Sequence, residues 1–182
     1  MHKIIFFEGL PKVGKTTLIN YIKNKNLPDV FVADELTTKK SRLESSNTFD
    51  FMENDVAKIN SVKSGLLFID RGPISTLSYN QTKMIVDENY DFDIRKLKKW
   101  FAKFTSFFQQ DNVFVYLLKD QNYRFREGET PTNPHGTLEN QKLMEQITFY
   151  NSKKYVKNLI VKEYSYNKME KFADEIINKF MC

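Results

Sequence analysis

The segment from Gly9 to Thr16 combines glycines, a lysine and a hydroxyl at a spacing that suits phosphate binding. It reads GLPKVGKT, fits the pattern G-x-x-x-x-G-K-[ST], and follows the apolar run Ile4–Phe7 after one residue. Glycines let such a loop wrap around an anion, and backbone N–H groups of the loop and of the following helix face that anion. The residues expected to bind phosphate are Gly9, Lys12, Val13, Gly14, Lys15, Thr16 and Thr17.

Two side chains of this loop indicate ATP and Mg²⁺ as cofactors. Lys15 would neutralise the β- and γ-phosphates, and the Thr16 hydroxyl would ligate Mg²⁺. The loop lies between a predicted strand and a predicted helix from about Lys15 to Lys25, the context in which this motif binds nucleotides. The alternative is a chance glycine turn, which this context disfavours. The sequence therefore predicts a P-loop phosphotransferase.

A second candidate site follows another apolar run, Leu66–Ile69, which ends in Asp70 and Arg71. An acid at the carboxyl end of a parallel strand lies at the sheet edge where ligands bind in such folds. Asp70 could hold Mg²⁺ directly or through water, and Arg71 could reach the phosphate of an anionic acceptor. The structural alternative is a surface turn with a salt bridge.

Glu35 follows the predicted strand Val30–Ala33 and is a candidate for acid–base chemistry. A carboxylate there could orient a substrate hydroxyl or accept its proton. The neighbouring Asp34 competes for this role, and a solvated loop acid is the structural alternative.

The stretch from Lys119 to Gly136 has no apolar period and is predicted to be a lid, about 119–137. Its Arg124 and Arg126 could close on the transferring phosphoryl group and exclude water, or could be ordinary loop arginines. His135 stands alone in this stretch, so we assign it neither a metal nor a base role.

The alternation of apolar runs with amphipathic stretches predicts an α/β fold. Strands that are apolar on both faces indicate a parallel sheet covered by helices on each side, a three-layer α/β/α sandwich. The predicted strands are Ile4–Phe7, Val30–Ala33, Leu66–Ile69, Val113–Leu118 and Leu159–Val161. Besides the helix after the P-loop, the predicted helices are Phe51–Ser64, Ile94–Gln109 and Met169–Phe180.

Length and composition place the chain among compact globular proteins. Its 182 residues suit one domain, 1–182, and 41% hydrophobic and 14% aromatic residues exclude a disordered chain. The net charge of +5 is scattered in lysine doublets, which argues against a nucleic-acid surface and suits a nucleotide. No apolar run could span a bilayer, the N-terminus enters a strand at once, and Cys182 is the one thiol. We therefore expect a cytoplasmic protein.

These motifs resemble thymidylate kinases and, more distantly, deoxynucleoside kinases. The stretch FEGL running into GKTT, residues 7–17, is similar to the thymidylate kinase opening. DRGPISTLSY, from Asp70 to Tyr79, is similar to that family's D-R-x-x-x-S-S-x-A-Y stretch. Glu139-Asn140 and the helix to Tyr155 look like the segment after the family's lid.

The resemblance implies a five-stranded parallel core and transfer of the ATP γ-phosphoryl group to a nucleoside monophosphate. It implies that Arg71 grips the acceptor phosphate, that Asp70 serves metal and acceptor, and that Lys12 assists transfer. Glu35, Phe51 and Tyr79 join Arg71 as implied substrate-binding residues. Such kinases are often homodimers, for which the predicted helix stripe around Trp100 offers a surface, although core packing explains that stripe equally well.

The chain also departs from the family. Pro11 stands where thymidylate kinases usually have an acid, and Asn54 and Asp55 stand where an arginine would bind the acceptor phosphate. Both departures count against thymidylate itself as the acceptor. The second hypothesis is a deoxynucleoside kinase with Glu35 as base, although that family usually has Glu-Arg-Ser at Asp70–Gly72. Hypotheses of another class are a regulatory nucleotide-binding protein and a polynucleotide kinase.

Overall fold

A computed structural model describes residues 2–43, 46–120, 131–164 and 168–181. Its five strands are β1 Lys3–Glu8, β2 Val30–Ala33, β3 Leu66–Asp70, β4 Val113–Asp120 and β5 Asn158–Tyr164. All neighbouring pairs are parallel, and the order across the sheet is β2-β3-β1-β4-β5. The predicted five-stranded parallel sheet is confirmed.

Helices connect these strands. They are α1 Lys15–Asn24, α2 Thr48–Ile59, α3 Pro73–Val86, α4 Ile94–Ala102, α5 Leu138–Tyr155 and α6 Met169–Met181. Short 3₁₀ turns occupy Lys40–Arg42 and Phe107–Gln109.

Two hydrophobic clusters lie on opposite faces of the sheet. Along β1, Ile5 and Phe7 belong to one cluster with residues of α1 and α6, while Ile4 and Phe6 belong to the other with residues of α3 and α4. Successive side chains of a strand point to opposite faces, so a strand covered on both sides must be apolar throughout. The predicted α/β/α layering is therefore confirmed. The apolar residues of β1 explain it, because they alternate between the two covered faces of the sheet.

Three predicted helix boundaries were wrong, and one of them is the end of α2, which lies at Ile59 rather than Ser64. Helix α2 begins at Thr48 rather than Phe51 because Asn47 accepts hydrogen bonds from backbone N–H groups of its first turn, forming a capping box with Asp50. The predicted helix Ile94–Gln109 ends at Ala102, where i→i−3 backbone hydrogen bonds tighten the chain and the Thr105 hydroxyl donates to Ala102 O (2.7 Å).

Helix α3 was not predicted from the sequence, and β4 is longer than predicted. Pro73 occupies the first turn of α3, where its missing N–H costs no helical hydrogen bond. Strand β4 extends to Asp120, so the first two residues of the predicted lid belong to the sheet. The rest of the lid divides between 121–130, outside the described residues, and the turns that precede α5.

The aromatic stripe around Trp100 is part of the core. Trp100, Phe101, Phe104 and Phe108 are all buried in the cluster that also holds Leu97. The stripe therefore offers no surface to a second copy, and the homodimer stays a prediction without this support. None of the described helices combines the length and the apolar character that a membrane span requires.

Candidate active site

The P-loop joins β1 to α1 through backbone conformations that favour glycine. Gly9 and Gly14 have φ of 135° and 90°, and Gly14 is the N-cap of α1. A Cβ atom at Gly9 would lie 2.4 Å from the Leu118 carbonyl oxygen. The exposed Lys12 has φ of 65°, buried Val13 faces the core, and Thr17 is half-buried in the first turn of α1. The predicted loop thus has the expected context of strand, turn and helix.

Lys15 is folded back onto its own loop. Its side chain is buried, and Nζ donates to the carbonyl oxygens of Gly9 (2.9 Å) and Leu10 (2.6 Å). Burial, assisted by the positive charge of Arg71, lowers the Lys15 pKa to about 7. Phosphate oxygens bound in the loop would give this ammonium group a negatively charged partner, which the two carbonyl oxygens are not.

Thr16 and Asp70 meet at the adjacent ends of α1 and β3. The Thr16 hydroxyl donates to Asp70 Oδ2 (2.7 Å), while Asp70 Oδ1 is buried without a hydrogen-bond partner among the described residues. Burial raises the Asp70 pKa. The hydroxyl and the orphaned carboxylate oxygen are hard donors of the kind that Mg²⁺ prefers. These two residues therefore fit a magnesium site.

The described residues contain no cluster of three or more His, Cys, Asp or Glu side chains that could hold a metal ion alone. An ion at Thr16 and Asp70 would thus take its other ligands from phosphates and water, as Mg²⁺ commonly does in kinases.

Arg71 lies directly after β3 and faces Glu35. Its backbone N–H donates to the Phe7 carbonyl oxygen (3.0 Å), and its φ is 56°. Arg71 Nε lies 3.0 Å from Glu35 Oε1, yet it makes no well-aligned hydrogen bond. Charge therefore holds the pair without a strong directional bond. Asp34 instead pairs with Lys23 at the surface (2.9 Å), so Glu35 is the acid that enters the site.

A cavity of about 630 Å³ opens beside Arg71, a volume within the usual range for small-molecule sites. The cavity extends along α3 from Gly72 to Lys83, and the helical rise makes this length about 16 Å. Phe51 from α2 and Tyr79 from α3, the residues that the resemblance assigns to substrate binding, both line it.

Lys58, to which the sequence gave no role, supports the cavity floor from α2. Its Nζ is buried, lies 3.0 Å from Asp55 Oδ1, and donates to the carbonyl oxygens of Arg71 (2.9 Å) and Asp70 (3.3 Å). The Thr76 hydroxyl donates to Asp55 Oδ2 (2.6 Å). The buried ion pair therefore fixes the backbone that presents Arg71.

Asn54 holds the segment after β2. Its Oδ1 accepts from the backbone N–H groups of Thr37 (2.8 Å) and Thr38 (3.0 Å), and Nδ2 donates to the Glu35 carbonyl oxygen (2.8 Å). Asn54 and Asp55 thus form internal contacts at the position where the resembled family places an acceptor-binding arginine.

Glu8, the last residue of β1, is a fully buried carboxyl group behind the cavity. The Ser75 hydroxyl donates to its Oε2, and Oε1 has no hydrogen-bond partner in the described part of the chain. Burial raises the Glu8 pKa to about 7, against the lowering effect of the Ser75 hydrogen bond.

His135 lines the same cavity, although the sequence assigned it no role. Its ring centroid lies 5.5 Å from that of Tyr79, and its Nδ1 is buried without a partner among the residues described. Its position before α5 in the sequence gave no signal that it would reach Tyr79 on α3. Arg124 and Arg126, the predicted lid arginines, lie outside the described residues.

The fold is shared with two solved thymidylate kinases and a third solved protein. The thymidylate kinase of Ehrlichia chaffeensis is 14% identical, with a TM-score of 0.60 over 98% of each chain. That of Candida albicans is 15% identical, with a TM-score of 0.62 over 98% of this chain and 92% of its own. The YorR protein of Bacillus subtilis, solved in complex with phosphorylated GDP, is 13% identical, with a TM-score of 0.53 over 97% and 94%.

Sequence comparisons find no such relatives. No protein-family model matches the chain, and no curated protein sequence matches it. The likeness is therefore one of structure over almost the whole chain. The chain has the fold of thymidylate kinases, as its P-loop and its DRGPISTLSY stretch predict.

Proposed function

We propose that this protein is an ATP- and Mg²⁺-dependent nucleoside monophosphate kinase of thymidylate kinase type. One observation carries the proposal: Thr16 of the P-loop contacts Asp70 at the end of β3, and the next residue, Arg71, lines a cavity of about 630 Å³. A phosphate-binding loop and a nucleotide-sized cavity thus share one boundary at the carboxyl edge of the sheet, where such folds bind ligands.

The P-loop side would bind ATP. Lys15 would exchange its carbonyl contacts at Gly9 and Leu10 for the β- and γ-phosphates, and nearby negative charge would raise its pKa from about 7. Thr16 and Asp70 would hold Mg²⁺. When bound, the ion would neutralise charge on the β- and γ-phosphates.

The cavity side would bind the acceptor nucleotide. Arg71 would hold its phosphate, and the rings of Phe51 and Tyr79 would pack against the nucleoside. An acceptor phosphate oxygen forms the new bond to the γ-phosphorus while the bond from the γ-phosphorus to the bridging oxygen of ADP breaks. A phosphate oxygen needs little acid–base help, so positioning would supply most of the rate.

Three further residues complete the proposal. Lys12, exposed in the P-loop, would assist the transfer, and Arg124 and Arg126 would stabilise the charge of the transferring phosphoryl group.

A coupled ADP-release assay tests this function. Mg·ATP is supplied with a panel of nucleoside monophosphates and the corresponding nucleosides, with Lys15→Ala as the inactive control. Turnover with one or more monophosphates is expected. A protein that binds ATP but turns over no monophosphate would not have this function.

A second candidate is a nucleoside kinase, and the charge balance of the cavity favours it. Each of the three lysine and arginine side chains that line the described cavity already has an acidic partner. The pairs are Arg71–Glu35 (3.0 Å), Lys58–Asp55 (3.0 Å) and Lys83–Asp87 (2.6 Å). A neutral hydroxyl acceptor would bind without displacing these acidic partners, and Glu35 would accept its proton as the base during transfer.

The variant Glu35→Gln separates the two candidates. A nucleoside kinase should lose most of its turnover because its base is gone. A monophosphate kinase should lose much less of its turnover, because its acceptor is a phosphate oxygen that needs little help from a base. Measuring kcat and acceptor KM for both acceptor classes decides between them.

A further inference from the structure

The backbone before α5 is held in place beside the cavity. Asn140 Nδ2 donates to the carbonyl oxygens of Pro131 (2.6 Å) and Asn133 (2.8 Å). Gln141 Nε2 donates to the His135 carbonyl oxygen (2.8 Å), and the His135 N–H donates to Asn133 Oδ1 (2.9 Å). Side chains of the first turn of α5 thus fix both the path of this segment and the position of His135.

The ring of His135 forms part of the cavity wall. It packs on Tyr79 with ring centroids 5.5 Å apart and planes inclined at 50°, and it lines the cavity together with Arg71. The charges of Arg71, Lys15 and Lys12 all act on it. His135 therefore lines the cavity in a positive electrostatic environment.

The protonation state of the ring follows from its surroundings. Burial, with the nearby positive charges of Arg71, Lys15 and Lys12, lowers the His135 pKa to about 4, so the imidazole is neutral at pH 7. Nδ1 is enclosed and has no acceptor among the described residues. The ring proton thus belongs on Nε2, since a proton on Nδ1 would be a buried donor without a partner. In this tautomer Nε2–H is the donor that the ring can offer to a ligand in the cavity that it lines.

We propose that His135 is a second ligand of the acceptor phosphate, acting with Arg71; this inference rests on the proposed function. No arginine follows Phe51 to bind the acceptor phosphate. Asn54 and Asp55, which stand in its place, are engaged in internal contacts. Nε2–H of His135 supplies the missing donor from another wall of the cavity. A neutral donor also leaves the charge of the site unchanged, so Arg71 remains its principal cation.

Two variants separate the hydrogen bond from the packing. His135→Phe keeps a ring against Tyr79 but removes both nitrogens, whereas His135→Gln places an amide donor near the position of Nε2. Isothermal titration calorimetry measures the affinity of each protein for the four deoxynucleoside 5′-monophosphates. The affinity for the corresponding nucleoside, which lacks the phosphate, is measured by competition against the monophosphate that binds most tightly. Thermal unfolding checks the fold, and His135→Ala replaces the Phe variant if that variant is unstable.

The proposal predicts about tenfold weaker monophosphate binding for His135→Phe, which corresponds to ~1.4 kcal/mol. Nucleoside affinity should stay within about twofold, and His135→Gln should recover monophosphate binding to within about threefold of the unchanged protein. Equal losses for nucleoside and monophosphate, or no loss for either, would overturn the inference. The inference would also be overturned if the wild-type protein bound no monophosphate. Monophosphate binding without ADP release would overturn the proposed function alone.

Discussion

The hydroxyl of Thr16 donates a hydrogen bond to Asp70 Oδ2 over 2.7 Å, although 54 positions separate the two residues in the sequence. The bond joins the first turn of α1 to the end of β3. It brings together the two oxygen donors that the sequence assigned to Mg²⁺, and Asp70 Oδ1 remains available beside them.

The first prediction concerns this pair. Thr16→Val should lower kcat by about a hundredfold or more because a donor to the metal is lost, whereas Thr16→Ser should retain most activity. The measurement is kcat as a function of Mg²⁺ concentration, and the half-saturating concentration should rise for the Val variant alone. Equal activity of the Val and Ser variants would contradict the magnesium assignment.

The second prediction concerns Arg71. Arg71→Ala should raise the acceptor KM and lower kcat, each by about tenfold or more, because a charged contact to the acceptor phosphate is lost. The ATP KM should remain near normal. Steady-state kinetics with each substrate varied in turn measures both constants, and Arg71→Lys shows whether charge alone suffices. An unchanged acceptor KM in the Ala variant would reject the assigned role.

The third prediction concerns the buried pair Lys58–Asp55. Lys58→Met leaves the Asp55 carboxylate buried without its cation and should lower the free energy of unfolding by about 3–5 kcal/mol. The double variant Lys58→Met/Asp55→Leu removes both charges and should be more stable than the single variant. Urea unfolding of the three proteins measures these differences. A single variant as stable as the unchanged protein would show that the pair does not support the floor of the cavity.

The fourth prediction concerns Glu8 and pH. Its pKa is about 7 in the folded protein against an ordinary value of 4.5, so the folded state holds a proton that the unfolded state releases between these values. Stability should therefore fall as pH rises from 4.5 to 7, by about 3 kcal/mol from this group. Glu8→Gln cannot ionise, and the difference in stability between this variant and the unchanged protein should shift by that amount. A difference that is constant with pH would contradict the raised pKa.

The sequence predicted those parts of the site that depend on local spacing. Gly9, Gly14, Lys15 and Thr16 form one loop, and Asp70 ends an apolar strand, so each position follows from motif and strand pattern. Glu35 was also predicted, and the structure separates it from the competing Asp34.

The parts that the sequence missed depend on contacts between distant segments. A lysine within a helix gives no sign of burial, so Lys58 was not recognised, and the contact of His135 with Tyr79 of α3 joins segments that are far apart in the sequence. Helix α3 was missed because its buried face is rich in hydroxyl and amide side chains instead of an apolar stripe. Some of them have partners within the helix, such as Thr82, which donates to Ser78 O (2.9 Å), and others have partners outside it, such as Ser75, which donates to Glu8.

The most direct test of the account follows the label from γ-³²P-ATP into product. The protein is incubated with Mg²⁺, labelled ATP and either a nucleoside monophosphate or its nucleoside, and the products are separated by anion-exchange chromatography. We expect the label in a nucleoside diphosphate, and we expect Lys15→Ala to abolish its appearance. Label in a nucleoside monophosphate formed from the nucleoside, with none in a diphosphate, would contradict it.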